Sequence, residues 1–460
     1  MFTASSHPVR GARRRTVLVV AVAAIGATLL AGSTATRDNA GVASAQQDLD
    51  SLIEEYERLE ELEETVEHEG RVPTHQLYRR DTVEAAFAHE SYRPGAIGRL
   101  VIHTPAHRVR IRIFRAGVEE HPTRRTDRMN GEPVSAERTL YNVRSGQVVP
   151  IRLGRWPSGL YFARLTSPGK VGYAPFVLRP WRLGEHAVAV VLPTYTWQAY
   201  NFRDDDRDGY SDTWYAGWRT NHARLNRPYL DRGVPAHFRV YDLPFLRWLH
   251  ATGRQVDVLG DADLNGLRSG AKLARYELLI FPGHHEYVTT REYDAVVDFR
   301  NRGGNLMFLS ANNFYWRVDL RGDVMTRVQH WRDLGRPEAA LIGTQYVAND
   351  DGRRRGAWVV RRTPAVSWIF AGTGSSPGEA FSEAGIEIDS VASSSPRGTQ
   401  ILASIPSIYG RGYNAHMTYY QTRRGAKVFA AGAFTLAGAI WQPPVRRLLT
   451  NLWRRLASGR

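Results

Sequence analysis

The chain predicts an α/β fold with a mostly parallel sheet, preceded by a β-sandwich domain and an N-terminal helix. Three observations carry this. After Gly184, apolar runs such as 187–192, 256–259, 278–281 and 306–309 alternate with amphipathic stretches at 243–250 and 293–299. Successive βα units of this kind build a sheet covered on both faces. Before Gly184, residues 76–180 carry short alternating runs, with Val109, Ile111 and Ile113 set against Arg108, Arg110 and Arg112 and breaks at Pro157-Ser158-Gly159 and Pro168-Gly169. Strands at that spacing argue for a sandwich. Residues 46–69 place Leu49, Leu52, Ile53, Tyr56, Leu59, Leu62 and Val66 three and four apart opposite a Glu-rich face, a helical stripe ended by Gly70 and Pro73.

The domain boundaries that follow are a signal segment at 1–45, an acidic helix at 46–73, a sandwich at 74–182 with no evident catalytic constellation, and an α/β domain at 183–460. The signal segment has a basic start at Arg10 and Arg13–Arg15, an apolar stretch over 16–31 and a small-residue cleavage site at Ala43-Ser44-Ala45. The apolar stretch is short of the roughly 20 residues of a membrane span, so the segment reads first as a removed export signal and second as an anchor. Arg14-Arg15-Thr16-Val17-Leu18 also resembles a twin-arginine signal. The expected location is therefore the cell exterior or envelope. The acidic helix reads as packed on its own chain or as an oligomerising coiled coil.

Composition narrows the function. The net charge is +15, but only Lys170, Lys272 and Lys427 are lysines and the arginines are spread along the chain. Without a basic recognition motif this argues against nucleic-acid binding. The chain has no cysteine, which excludes thiolate nucleophiles, disulfides and Cys-ligated metals. Any metal must be held by oxygen or imidazole.

Three loops follow predicted strands of the α/β domain and converge at the carboxyl edge of the sheet, where such folds keep their sites. They are 193–201, the Gly283-His284-His285-Glu286-Tyr287 cluster, and Ser310-Ala311-Asn312-Asn313. The second leads into a helix opened by the capping box Thr289 to Glu292. The fold class is that of class I glutamine amidotransferase-like (flavodoxin-like) domains, whose nucleophile is a cysteine. That chemistry is closed here, and no Gly-x-Ser-x-Gly elbow replaces it. A metal-assisted mechanism remains for an enzyme.

Four ordered blocks, TYTWQAYN, YDLPFLRWLH, FPGHHEY and GGNLMFLSANNFYWRV, resemble the C-terminal domain of the N,N-dimethylformamidase large (beta) subunit family, over roughly residue 94 to the end. The resemblance implies a mononuclear iron, held by two tyrosines and a carboxylate, that hydrolyses a small amide. Carried over by motif, the ligands are Tyr200, Tyr241 and Glu286, with His284 as an acid/base group, Thr196 as a pocket hydroxyl and Asn312 as a substrate-orienting amide. Phenolates and a carboxylate are hard donors that suit ferric iron acting as a Lewis acid. A phenol with pKa near 10 needs local positive charge to ionise, and Tyr241 precedes a helix with Pro244 in its first turn.

The resemblance also implies a glutamate in the segment 417–422, where this chain has Gln421, which cannot shuttle a proton. That departure keeps open a non-catalytic exported binding module as the alternative to the amide hydrolase. A zinc hydrolase using His284, His285 and Glu286 is a further, weaker option. Whether a small partner subunit is needed is left open. Separately, Asp204, Asp206, Asp208 and Gly209 match the first half of a calcium-binding loop, with Asp212 nearby, while Tyr215 stands where the twelfth-position glutamate belongs.

Overall fold

The computed structural model of the protein describes residues 82–119, 127–215, 219–350 and 354–458. The export segment and the acidic helix lie outside the described residues. Among the described residues no helix is long and apolar enough to cross a membrane.

The first part is built from two sheets. One has three strands, Ala85–Phe87, Ile97–Ile102 and Gln147–Arg152. The other has six and is centred on Ala106–Arg115, Gly159–Ser167 and Lys170–Leu178. Alternation explains the shared core: Val109, Ile111 and Ile113 turn inward with Phe87, Leu100, Tyr161 and Phe176, while Arg108 and Arg110 face out.

The second part is organised by an eleven-stranded sheet. Its strands are β1 (Val188–Leu192), β2 (Asp257–Gly260), β3 (Leu278–Phe281), β4 (Asn305–Phe308), β5 (Gln345–Asn349), β6 (Arg355–Val360), β7 (Ala380–Ser390), β8 (Gln400–Ile405), β9 (Ala415–Gln421), β10 (Lys427–Ala430) and β11 (Ala433–Phe434). The order is β2-β1-β3-β4-β10-β9-β8-β6-β7-β5, with β11 paired to β7. The helices that bear on the site are α1 (Thr194–Ala199), α2 (Phe238–Tyr241), α3 (Leu243–Ala251), α4 (Thr290–Asn301) and α5 (Pro443–Leu456).

This corrects the expected mostly parallel, flavodoxin-like sheet. Only the pairings β1 with β2, β1 with β3, β3 with β4 and β4 with β10 are parallel. From β10 outward every pairing is antiparallel, so the sheet is mixed and the molecule is mostly β. The apolar runs that suggested βα units belong to the parallel pairings. Residues 345–421 instead form antiparallel strands that pair without crossover helices, and some, such as Gln345–Asn349, are half exposed, a pattern with no long apolar run to announce it.

The parallel strands place the site. Buried on both faces, β1, β3 and β4 end together, so the segments after Leu192, Phe281 and Phe308 emerge side by side. A four-stranded sheet that includes Tyr287–Thr289, Trp316–Arg321 and Val324–His330 closes over that edge.

Candidate functional site

The 283–287 loop crosses the sheet edge in an extended path fixed from both sides. On one side the Thr196 hydroxyl, in the buried helix α1, accepts the backbone N–H of Glu286 at 3.1 Å and of Tyr287 at 3.4 Å. On the other, the N–H groups of Phe314, Tyr315 and Trp316 donate to the carbonyls of His285 and Glu286, and Asn313 Oδ1 accepts the His285 N–H at 3.2 Å. Gly283 is required because a Cβ there would lie 2.3 Å from Asp242 Oδ1. The capping box of Thr289 and Glu292 then starts α4.

Glu286 is the centre, 4% exposed. Its Oε2 accepts the Tyr200 phenol at 2.9 Å, faces His284 Nε2 at 3.1 Å and accepts the Tyr215 phenol at 3.4 Å. Tyr200 is the residue that ends α1, so the TYTWQAY block delivers Thr196 to the loop backbone and Tyr200 to the loop side chain from a single turn and a half of helix. His284 is held from its other nitrogen by the Ala311 carbonyl, 3.3 Å from Nδ1. Glu387, from β7, brings a second carboxylate 3.8 Å from His284 Nε2. Burial and the Glu286 carboxylate push the Tyr200 phenol well above its ordinary value, which keeps it protonated.

Tyr241 reaches this group through rings. It stacks on His237 at 4.9 Å and meets Phe434 edge-on at 5.2 Å. His237 packs against Tyr200 at 5.3 Å and Phe434 against His284 at 4.7 Å. Asn312 sits one residue past the carbonyl that holds His284. Its backbone is left-handed, φ 51°, and its N–H donates to Asp389 Oδ1 at 2.8 Å. Its side-chain Oδ1 is buried with no hydrogen-bond partner among the described residues.

Other expected residues fall elsewhere. The Thr196 hydroxyl is committed to two backbone amides, which makes it a brace of the loop. His285 turns away from Glu286: its ring packs on Phe281 and its Nε2 lies 3.5 Å from Asp261 Oδ1, and burial lowers its pKa to about 3. His284, His285 and Glu286 therefore do not face one point, and the zinc arrangement is corrected. Gln421 is exposed at the end of β9 that pairs with Lys427 at the start of β10, the edge of the sheet opposite the site. The second carboxylate near His284 is Glu387, which the sequence reading missed because β7 carried no recognised pattern.

The carboxylates of Asp204, Asp206 and Asp208 lie within 4.8 Å of one another, Asp206 and Asp208 exposed. Asp212 belongs to the same turn, where its carboxylate accepts the Asp205 N–H and its own N–H donates to the Arg203 carbonyl at 2.9 Å.

Residues 147–444 match the family described as N,N-dimethylformamidase beta subunit-like, C-terminal. The chain belongs to that family. Two of its relatives are the N,N-dimethylformamidase beta subunits of an Alcaligenes species and of Paracoccus aminophilus, each 31% identical over 144 residues. The match takes in 31% of this chain and 18% of each relative, so it spans about a fifth of the length of the proteins it resembles. Among solved structures, a Paenibacillus cycloisomaltooligosaccharide glucanotransferase matches at TM-score 0.18 and 9% identity over 77% of this chain and 69% of that one, too distant a likeness to inform the fold.

Proposed function

We propose that this family member is a metal-dependent hydrolase of the C–N bond of a small amide, with Tyr200, Tyr241 and Glu286 holding one ferric iron. The carrying observation is the meeting of Tyr200, His284 and Glu286 at one carboxylate oxygen with Glu387 beside them. Tyr200 and Glu286 fit such an ion, and Tyr241 joins them one ring further out, stacked on the His237 that packs against Tyr200. The donors are hard oxygens, the Tyr200 phenol needs positive charge to ionise, and the Asn312 side-chain carbonyl is buried with no hydrogen-bond partner among the described residues. When bound, the iron would supply Lewis acidity.

The chain's own residues supply the rest. The buried Asn312 amide, aimed by its left-handed backbone and Asp389, orients the substrate by hydrogen bonding. His284, with Nδ1 against the Ala311 carbonyl, presents Nε2 between Glu286 and Glu387. There it takes a proton from the attacking water and returns it to the leaving nitrogen, giving a carboxylic acid and an amine. Glu387, 3.8 Å from Nε2, orients the imidazole for both transfers. The aromatic wall of Tyr200, Tyr215 and Phe202 keeps bulk water out.

Amine release from a panel of small amides tests this. Turnover by the iron-loaded chain that disappears in His284→Ala supports it, and an iron-loaded chain inert toward every amide contradicts it.

A further inference from the structure

The residue that breaks the calcium-loop pattern, Tyr215, is drawn into the site. The turn between Tyr200 and Tyr215 closes through the Asp212 N–H on the Arg203 carbonyl at 2.9 Å, which brings both phenols to the same side. Their rings pack at 4.8 Å, and both hydroxyls reach Glu286 Oε2, at 2.9 Å for Tyr200 and 3.4 Å for Tyr215. Behind Tyr215 the chain of contacts continues. Its hydroxyl lies 2.6 Å from that of Tyr287, and Trp214 Nε1 lies 3.1 Å from the Tyr287 hydroxyl. Trp214 and Tyr287 are fully buried, so no water competes for these bonds.

The direction of this chain is set by its ends. An indole N–H only donates and a carboxylate only accepts. Trp214 therefore donates to Tyr287, Tyr287 to Tyr215, and Tyr215 to Glu286. Bonds that run in one direction polarise one another and strengthen the last of the series.

We propose that Tyr215 is a positioning residue: through the relay Trp214, Tyr287, Tyr215 it holds Glu286 Oε2, fixing the carboxylate that is to ligate the metal while Tyr200 is the phenol that joins it. This rests on the iron reading above. It assigns Tyr215, which lies in none of the four family-like blocks, to the role of an outer partner whose loss typically costs about 10- to 100-fold in metal affinity.

The test compares the full chain with Tyr215→Phe, Tyr287→Phe and the double variant, each of which keeps the ring packing and removes only hydroxyl groups. Ferric iron affinity is read by chelator competition, and metal-free crystals of each are solved alongside. The expected result is iron binding about 10- to 100-fold weaker in Tyr215→Phe. The double variant should be no weaker than Tyr215→Phe alone, because the groups act in series, and in the metal-free crystals the Glu286 carboxylate should be displaced. Wild-type affinity in Tyr215→Phe overturns the proposal. If the wild-type chain takes up no iron, the hydrolase reading fails by itself and the metal-free crystals decide the relay. A Glu286 carboxylate unmoved in Tyr215→Phe overturns it there.

Discussion

Tyr200 and Glu286, 86 positions apart, share a 2.9 Å hydrogen bond at the carboxyl edge of the sheet. The bond joins the end of α1 to the loop after β3, and each partner is placed by a different strand of the parallel set. It turns a family-like set of motifs into one site.

Thr196 braces the loop that carries Glu286. Thr196→Val keeps the shape and leaves two buried N–H groups without their acceptor. Unfolding in denaturant should show a loss of about 1–3 kcal/mol. An unchanged midpoint would contradict the brace.

In the proposed mechanism Glu387 orients the imidazole of His284, 3.8 Å from its Nε2. Glu387→Gln should cut amide turnover by about 10²- to 10⁴-fold with iron content unchanged. Turnover at the wild-type rate would remove Glu387 from the chemistry.

Gln421 lies at the far edge and is exposed. Restoring the glutamate that the family pattern implied, as Gln421→Glu, should change stability by no more than about 0.5 kcal/mol and leave turnover as it is. A gain in turnover would show that the strand end reaches the site.

Asp389 holds the Asn312 backbone, and burial pushes its carboxyl up to about 7. The unfolded chain releases that proton near pH 4, so between about pH 4 and 7 the folded state binds more protons. Its contribution to stability is therefore fullest below about pH 4, falls through that window and levels off above it. Asp389→Asn keeps an acceptor for the Asn312 N–H and has no such proton. Denaturation curves taken across the window should favour the variant increasingly as pH rises, and parallel curves would contradict this.

Part of this architecture was legible in residues. The runs at 187–192, 278–281 and 306–309 betray buried parallel strands because such strands lie apolar on both faces, and the loops after them must share an edge. The antiparallel half escaped because its strands, such as Gln345–Asn349 and Ala380–Ser390, are half exposed or irregular, with bulges that break their alternation. Glu387 was lost with them. Gln421 misled for a related reason: a motif position read without its strand direction cannot tell one sheet edge from the other. Tyr215 was visible only as a fault in the calcium-loop spacing, since nothing local shows that the turn folds back on Glu286.

In the proposed site Tyr200 and Glu286 bind one metal together. Iron content and the visible spectrum of the purified full chain test it most directly, beside Tyr200→Phe and Glu286→Gln. One iron per chain with a tyrosinate-to-iron absorption band, absent from both variants, is expected. A normally folded chain with no iron and no band, after exposure to ferric iron, would contradict it.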